Sequence, residues 1–140
     1  MSQRAQGSTL PPLSSHVNVA RLFLARAAER PAALAIAAAE RGGWRRITFG
    51  ELEQLVRRLA SGLARHGVEA GDRACLFVRP GIELVALTYA LFLLGAVPVV
   101  ADPGMGRARL LRALLQMRPS VFLGVPVAQV ARLVWRKPFA

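Results

Sequence analysis

The longest uncharged stretch of the sequence is Leu84–Ala101, eighteen residues that must be buried either in a membrane or in a protein core. The stretch reaches the length at which a membrane-spanning helix becomes a candidate. However, Gly95 stands where helices often end, Pro98 disrupts helix continuation, and both flanking charges are acidic. We therefore expect a buried helix over 82–94 followed by a short strand over 96–100, and no membrane span.

Strands and helices alternate on both sides of this stretch. Residues 73–78 predict a strand, and its continuous apolar run over 74–78 is of the kind found in strands that are covered on both faces. Beyond the stretch, the pattern predicts a turn at 102–104, a helix over 107–117, a strand over 121–124 and a short helix over 126–134. This alternation indicates an α/β fold, a layered domain with a parallel sheet and right-handed crossovers.

The N-terminal part begins with residues 1–15, which are polar and rich in Pro, Gly and Ser and predict a flexible leader. They contain no apolar core of a secretory signal, so a reducing, cytoplasmic location is expected. Asn18 is placed to cap a helix that continues to Glu29. Its apolar face is expected to contain Val19, Leu22 and Phe23.

Residues 33–39 permit two interpretations. Their alanines favour a helix, whereas the glycines that follow in Arg41-Gly42-Gly43 favour a tight turn into a strand over 44–49. We favour two strands joined by this turn.

The clearest single element is a helix that starts after Thr48. Thr48 and Glu51 have the spacing of a capping box, in which each side chain satisfies a main-chain amide of the other residue. Gly67 is placed to end this helix in a left-handed conformation. Apolar residues follow at helical spacing: Leu52, Leu55, Val56, Leu59 and Leu63.

The charge of the chain is strongly positive. Its 140 residues suit one domain, and a hydrophobic content of 54% excludes disorder over most of the length. Nineteen Lys and Arg against eight Asp and Glu give a formal charge of +11. This excess admits a nucleic-acid or anionic-surface partner, compositional drift, or a missing acidic remainder. The arginines are scattered rather than clustered, which favours drift.

Residues with catalytic or metal-binding chemistry do not form a recognisable set. Cys75 lies in an apolar run and is expected to be a buried structural thiol, and with His16 and His66 it gives no metal-site spacing. The carboxylates all have structural interpretations at helix starts, strand entries or turns. We therefore assign no catalytic, cofactor-binding or metal-binding residue to this chain.

Gly104 and Gly106 stand between a predicted strand and a predicted helix, where phosphate-binding loops occur. A dinucleotide fingerprint would require a further glycine at the position of Arg109, and the sequence contains no Gly-Lys-Ser or Gly-Lys-Thr. We expect both glycines to be turn residues. Arg107, Arg109 and Arg112 keep anion binding open as an alternative, although the last two are expected on a solvated helix face.

Three motifs resemble the start of the adenylate-forming (AMP-dependent) ligases of the acyl-CoA synthetase type. Ile47–Leu52 is similar to the family's T-(Y/F)-x-E-L motif. Gly67–Ala74 is similar to G-V-x-x-G-D-R-V, with Ala74 where valine is usual. Leu93–Pro103 is similar to G-A-V-x-V-P-x-D-P. Asp102–Gly106 and Phe122–Pro126 resemble a branch of fatty-acid ligases that includes the olefin β-lactone synthetases.

The resemblance implies that residues 16–140 are an incomplete N-terminal domain of such a ligase. The complete enzyme would use ATP and Mg²⁺ to activate a fatty acid as an acyl-adenylate and transfer it to CoA or another acceptor. The family's phosphate loop and C-terminal domain have no counterpart here, so the chain alone is expected to be inactive, unless a C-terminal portion acts in trans. The alternative is a stand-alone basic module that binds nucleic acid or anionic surfaces.

Overall fold

The computed structural model describes residues 18–124. The predicted leader 1–15 and the predicted helix 126–134 lie outside the described residues. Ten elements follow in order: α1 (Val19–Glu29), β1 (Leu34–Glu40), β2 (Gly43–Thr48), α2 (Phe49–Arg65), β3 (Arg73–Phe77), α3 (Ile82–Leu94), β4 (Val97–Val100), a 3-10 turn (Pro103–Met105), α4 (Arg107–Met117) and β5 (Val121–Gly124).

Two sheets organise these elements. β1 and β2 form an antiparallel hairpin, which confirms the two-strand interpretation, and Gly42 supplies the positive φ of 100° that its turn requires. The other sheet is parallel, with β3 between β4 and β5. Cys75 stands opposite Val99 on one side and Phe122 on the other. The predicted α/β class with a parallel sheet is thus confirmed.

The centre of the fold is the contact between β3 and the helices around it. Ala74, Cys75 and Leu76 are fully buried, as the continuous apolar run predicted. In α3 the buried residues recur at intervals of four (Ile82, Ala86 and Ala90), and Leu91 extends them. No helix among residues 18–124 is long and apolar enough to cross a membrane.

Gly95 divides the uncharged stretch into helix and strand at the predicted place. It has a left-handed φ of 73°, and its N–H donates to the carbonyl oxygens of Leu91 and Phe92. The chain then enters β4, whose Val97 N–H donates to the carbonyl of Asp72 at 2.7 Å. A helix end and a strand start are therefore packed into three residues.

α2 has the predicted capping box. The Thr48 hydroxyl accepts a hydrogen bond from the Glu51 N–H at 3.3 Å, and Oε2 of Glu51 accepts one from the Thr48 N–H at 2.8 Å. Gly67 follows the helix with a φ of 82°. The buried face is formed by Leu52, Val56, Ala60 and Leu63.

Of the apolar face predicted for α1, Phe23 is buried as expected but Val19 and Leu22 are exposed, and the predicted bounds and cap of the helix are confirmed. Asn18 accepts a hydrogen bond from the Ala20 N–H at 2.9 Å and donates to the Phe92 carbonyl at 2.6 Å. This second bond and the stacking of Phe23 on Tyr89, with ring centroids 4.5 Å apart, fix the helix against α3. The small residues Ala20 and Ala27 are therefore buried, while Val19 and Leu22 are exposed.

Candidate functional site

The carboxyl edge of the parallel sheet is the place where open α/β folds bind ligands. β3, β4 and β5 end there at Phe77, Val100 and Gly124. α3 follows β3 and α4 follows β4, so both helices begin near this edge. Any candidate site on this sheet must be assembled from the loops between those strands and helices.

The loop after β4 is closed by its own side chain. Asp102 Oδ1 accepts a hydrogen bond from the Gly104 N–H at 2.8 Å, and the Asp102 carbonyl accepts one from the Met105 N–H at 3.3 Å. A Cβ on Gly104 would lie 3.1 Å from Asp102 Oδ1. Gly106 has a φ of 82°, which favours glycine. Both glycines act as turn residues, as predicted.

The two helix starts at this edge contribute positive charge to it. α3 begins after Gly81 and α4 after Gly106, and neither glycine has a side chain that could cap the helix. The first amides of a helix carry partial positive charge. Arg79 and Arg107 stand beside them in the sequence. Glu83 in the first turn of α3 and Asp102 in the loop after β4 place negative charge at the same edge, so the charges at this edge are mixed.

Of the remaining predicted candidates, Cys75 and His66 lie away from this edge, whereas Arg109 lies in the first turn of α4. Cys75 is fully buried in β3, and burial raises the pKa of its thiol to about 11, so the thiol stays protonated and unreactive. His66 follows the last residue of α2, as expected. Arg109 and Arg112 are exposed on α4, as predicted.

Sites for ATP and Mg²⁺ are not assigned among the described residues. Within residues 18–124, no three His, Cys, Asp or Glu side chains are grouped so that they could hold a metal ion. The only lysine of the sequence, Lys137, lies outside that range. No step of a reaction is assigned to these residues, and the absence of catalytic residues from the chain stays a prediction.

The opposite, amino edge of the sheet brings two of the three motifs together. The Gly71 N–H donates to the Gly95 carbonyl at 2.9 Å, which joins the Gly-Asp-Arg motif to the motif that follows α3. Asp72 accepts from the Glu69 N–H at 2.8 Å and from the Ser120 hydroxyl at 2.7 Å, and these bonds lower the pKa of its carboxyl group. Sequence reasoning missed Ser120, because no local pattern marks a partner 48 residues away.

Several known proteins are similar to this chain in sequence. The family described as "AMP-binding enzyme" matches residues 23–137. The olefin beta-lactone synthetase of Xanthomonas campestris is 42% identical over 90 residues, which cover 64% of this chain and 16% of that protein. The rice 4-coumarate–CoA ligase 2 is 39% identical over 98 residues, covering 69% and 17% of the two chains.

Solved structures share the fold of this chain. The inhibitor-bound N-terminal domain of FACL13 from Mycobacterium tuberculosis matches 84% of this chain and 29% of its own, with a TM-score of 0.72 and 25% identity. O-succinylbenzoate coenzyme A synthetase from Bacillus subtilis, in complex with AMP, matches 75% of this chain and 26% of its own, with a TM-score of 0.67 and 27% identity. The chain spans about one sixth of the length of the beta-lactone synthetases it matches.

Proposed function

This chain belongs to the family of AMP-binding enzymes, and we propose that it forms the start of an ATP-dependent ligase that activates a fatty acid. The reaction would join a carboxylate oxygen of the acid to the α-phosphorus of ATP and release pyrophosphate. CoA or another acceptor would then take the acyl group. Mg²⁺ would accompany ATP, and the enzyme would act in the cytoplasm.

The observation that carries this proposal is the joining of the sequence motifs in space. The Gly71–Gly95 hydrogen bond joins the Gly67–Ala74 motif to the Leu93–Pro103 motif, although the two are separate in the sequence. In the third motif, Thr48 and Glu51 form the capping box that starts α2. Identities of 42% and 43% to two olefin beta-lactone synthetases favour the fatty-acid branch of the family. The comparisons give no support to the alternative of a stand-alone nucleic-acid or anionic-surface module.

The described residues would serve as scaffold rather than as catalytic machinery. The buried β3 and the helices around it fix the positions of the loops at the carboxyl edge, while the remaining family parts would supply the nucleotide contacts. The 140-residue chain alone is therefore expected to release no pyrophosphate from ATP, Mg²⁺ and a long-chain fatty acid. Pyrophosphate release by the purified chain would contradict this part of the proposal.

A chimera tests the scaffold role directly. Residues 18–124 would replace the matching segment of the Xanthomonas olefin beta-lactone synthetase, and fatty-acid-dependent pyrophosphate release would be measured. We expect the chimera to keep activity within about tenfold, a barrier change of roughly 1.4 kcal/mol. The same chimera with Gly95→Val, which forces a branched side chain into a left-handed position, is the inactive control. A folded chimera without activity would refute the assignment.

A further inference from the structure

A shallow groove between β2 and α2 carries arginines that lack an ion-pair partner among the described residues. It has a volume of about 300 Å³ and is lined by Arg45, Arg46, Ile47, Glu51, Gln54, Leu55 and Arg58. Ile47 is buried and Leu55 is half-buried, so part of the lining is apolar. Arg46 and Arg58 are exposed beside these apolar side chains.

The acidic residues of the chain do not neutralise these two arginines. All eight Asp and Glu residues lie within residues 18–124. Arg45 pairs with Glu40 and with Glu83, and further ion pairs among the described residues join Arg26 to Glu29 and Arg57 to Glu53. Glu51, Asp72 and Asp102 accept hydrogen bonds from main-chain N–H groups. No ion pair to Arg46 or Arg58 is found among the described residues, so both guanidinium groups can accept a carboxylate from a binding partner.

We propose that this groove docks an acidic segment of a partner protein, with Arg46 and Arg58 each binding a carboxylate. A guanidinium group matches a carboxylate through two parallel N–H bonds. The apolar lining accommodates an aliphatic side chain between the two carboxylates. Trp44, which is 67% exposed and stands two residues before Arg46 on the same face of β2, adds an aromatic contact.

The surrounding carboxylates favour a protein segment over a continuous polyanion. Glu51 lines the groove itself, and Glu40 and Glu83 lie beside Arg45. The carboxylate of Glu51 repels the uniform negative charge of a nucleic-acid backbone or an anionic bilayer, whereas Glu40 and Glu83 are paired with Arg45. A segment with two separate carboxylates can bind Arg46 and Arg58 while it keeps its negative charge away from Glu51.

The test uses the full 140-residue chain and a fluorescein-labelled peptide of alternating Glu and Leu, followed by anisotropy at physiological salt. Arg46→Gln with Arg58→Gln is expected to weaken binding by about tenfold or more, since each removes hydrogen bonds to a charged group. The control, Arg109→Gln with Arg112→Gln, removes the same charge from α4 and is expected to weaken binding less than about twofold, because salt screens distant charges.

The outcomes are distinct. Equal losses in both double variants would show general charge attraction and overturn the proposal. Absence of saturable binding, or tighter binding of a DNA oligonucleotide or of phosphatidylglycerol vesicles than of the peptide, would also overturn it. A charge-reversed chain, Arg46→Glu with Arg58→Glu, checked for native circular dichroism, is expected to bind a Lys–Leu peptide in place of the Glu–Leu peptide.

Discussion

At the scale of single residues, a few positions hold conformations or protonation states that their neighbours impose. Gly95 is left-handed because a helix must end and a strand must begin within three residues. Cys75 is protonated because three strands meet around it. The sequence showed both features, since a glycine before a strand and a cysteine within an apolar run are local patterns.

Gly95→Ala tests the left-handed position. The substitution costs about 1–2 kcal/mol for the left-handed backbone, and the new Cβ would lie 3.2 Å from the Cβ of Ala70. We expect a lower free energy of unfolding in urea. The matched control is Gly62→Ala, where the Cβ meets nothing within 4 Å and helix propensity raises stability by about 0.5–1 kcal/mol. Equal effects of the two substitutions would contradict this account.

The raised pKa of the Cys75 thiol predicts that the free energy of unfolding falls at alkaline pH. Burial raises the pKa of its thiol from 9.0 to about 11, so the folded state keeps a proton that the unfolded state releases. The contribution is fully present below pH 9 and is lost as the pH rises towards 11. Urea unfolding at several pH values is expected to show a steeper decline for the natural chain than for Cys75→Ala. Parallel declines in the two proteins would disprove the link to the thiol.

At the scale of elements, caps and buried faces decide where helices begin and how they are oriented. Bounds were predictable where the signals are local: α3, α4 and β5 have the predicted ends. The orientation of α1 was not predictable, because it depends on Tyr89 and Phe92, which lie far along the chain. The groove beside α2 was missed for the same reason, since β2 and α2 bring its arginines together only in the fold.

Thr48→Ala tests the start of α2. Loss of the hydroxyl leaves the Glu51 N–H without its acceptor and is expected to lower stability by about 1 kcal/mol. Thr48→Ser keeps the acceptor and serves as the control. Thermal unfolding followed by circular dichroism measures both. Because its hydrogen bonds lower the pKa of Glu51, the contribution of the box is present above the usual carboxyl pKa and is lost as pH falls.

At the scale of the whole molecule, β4 is an edge strand of the parallel sheet among residues 18–124, and its Val97 and Val100 are exposed. Main-chain N–H groups alternate between the two sides of a strand. Those of Val97 and Ala101 point to β3, so the main-chain nitrogen of Pro98 faces away from β3. Proline has no N–H to donate there, which makes the edge a poor template for another strand. Pairing order itself could not be read from the sequence, because alternation predicts a parallel sheet but not which strand is central.

Pro98→Val is expected to restore a donor to this edge and to increase self-association of the chain. Sedimentation velocity over a range of concentrations is expected to detect a larger fraction of dimers or larger species for Pro98→Val than for the natural chain. Pro80→Val, in the loop between β3 and α3, is the control and should sediment like the natural chain. Unchanged sedimentation of Pro98→Val would rule out a protective role for the proline.

The hydrogen bonds at the amino edge also limit where the chain can tolerate insertions and deletions. Gly71 is bonded to Gly95, Ser120 to Asp72 and to the Arg73 carbonyl, and the Arg73 guanidinium to the Met117 carbonyl. One inserted residue in any of these turns would break bonds to two other segments. The loop over 102–106, whose hydrogen bonds are internal or lead only into the next helix, has no such restriction. Insertions and deletions among relatives should therefore accumulate at the carboxyl edge, which leaves that edge free to diversify while the amino edge keeps a fixed length.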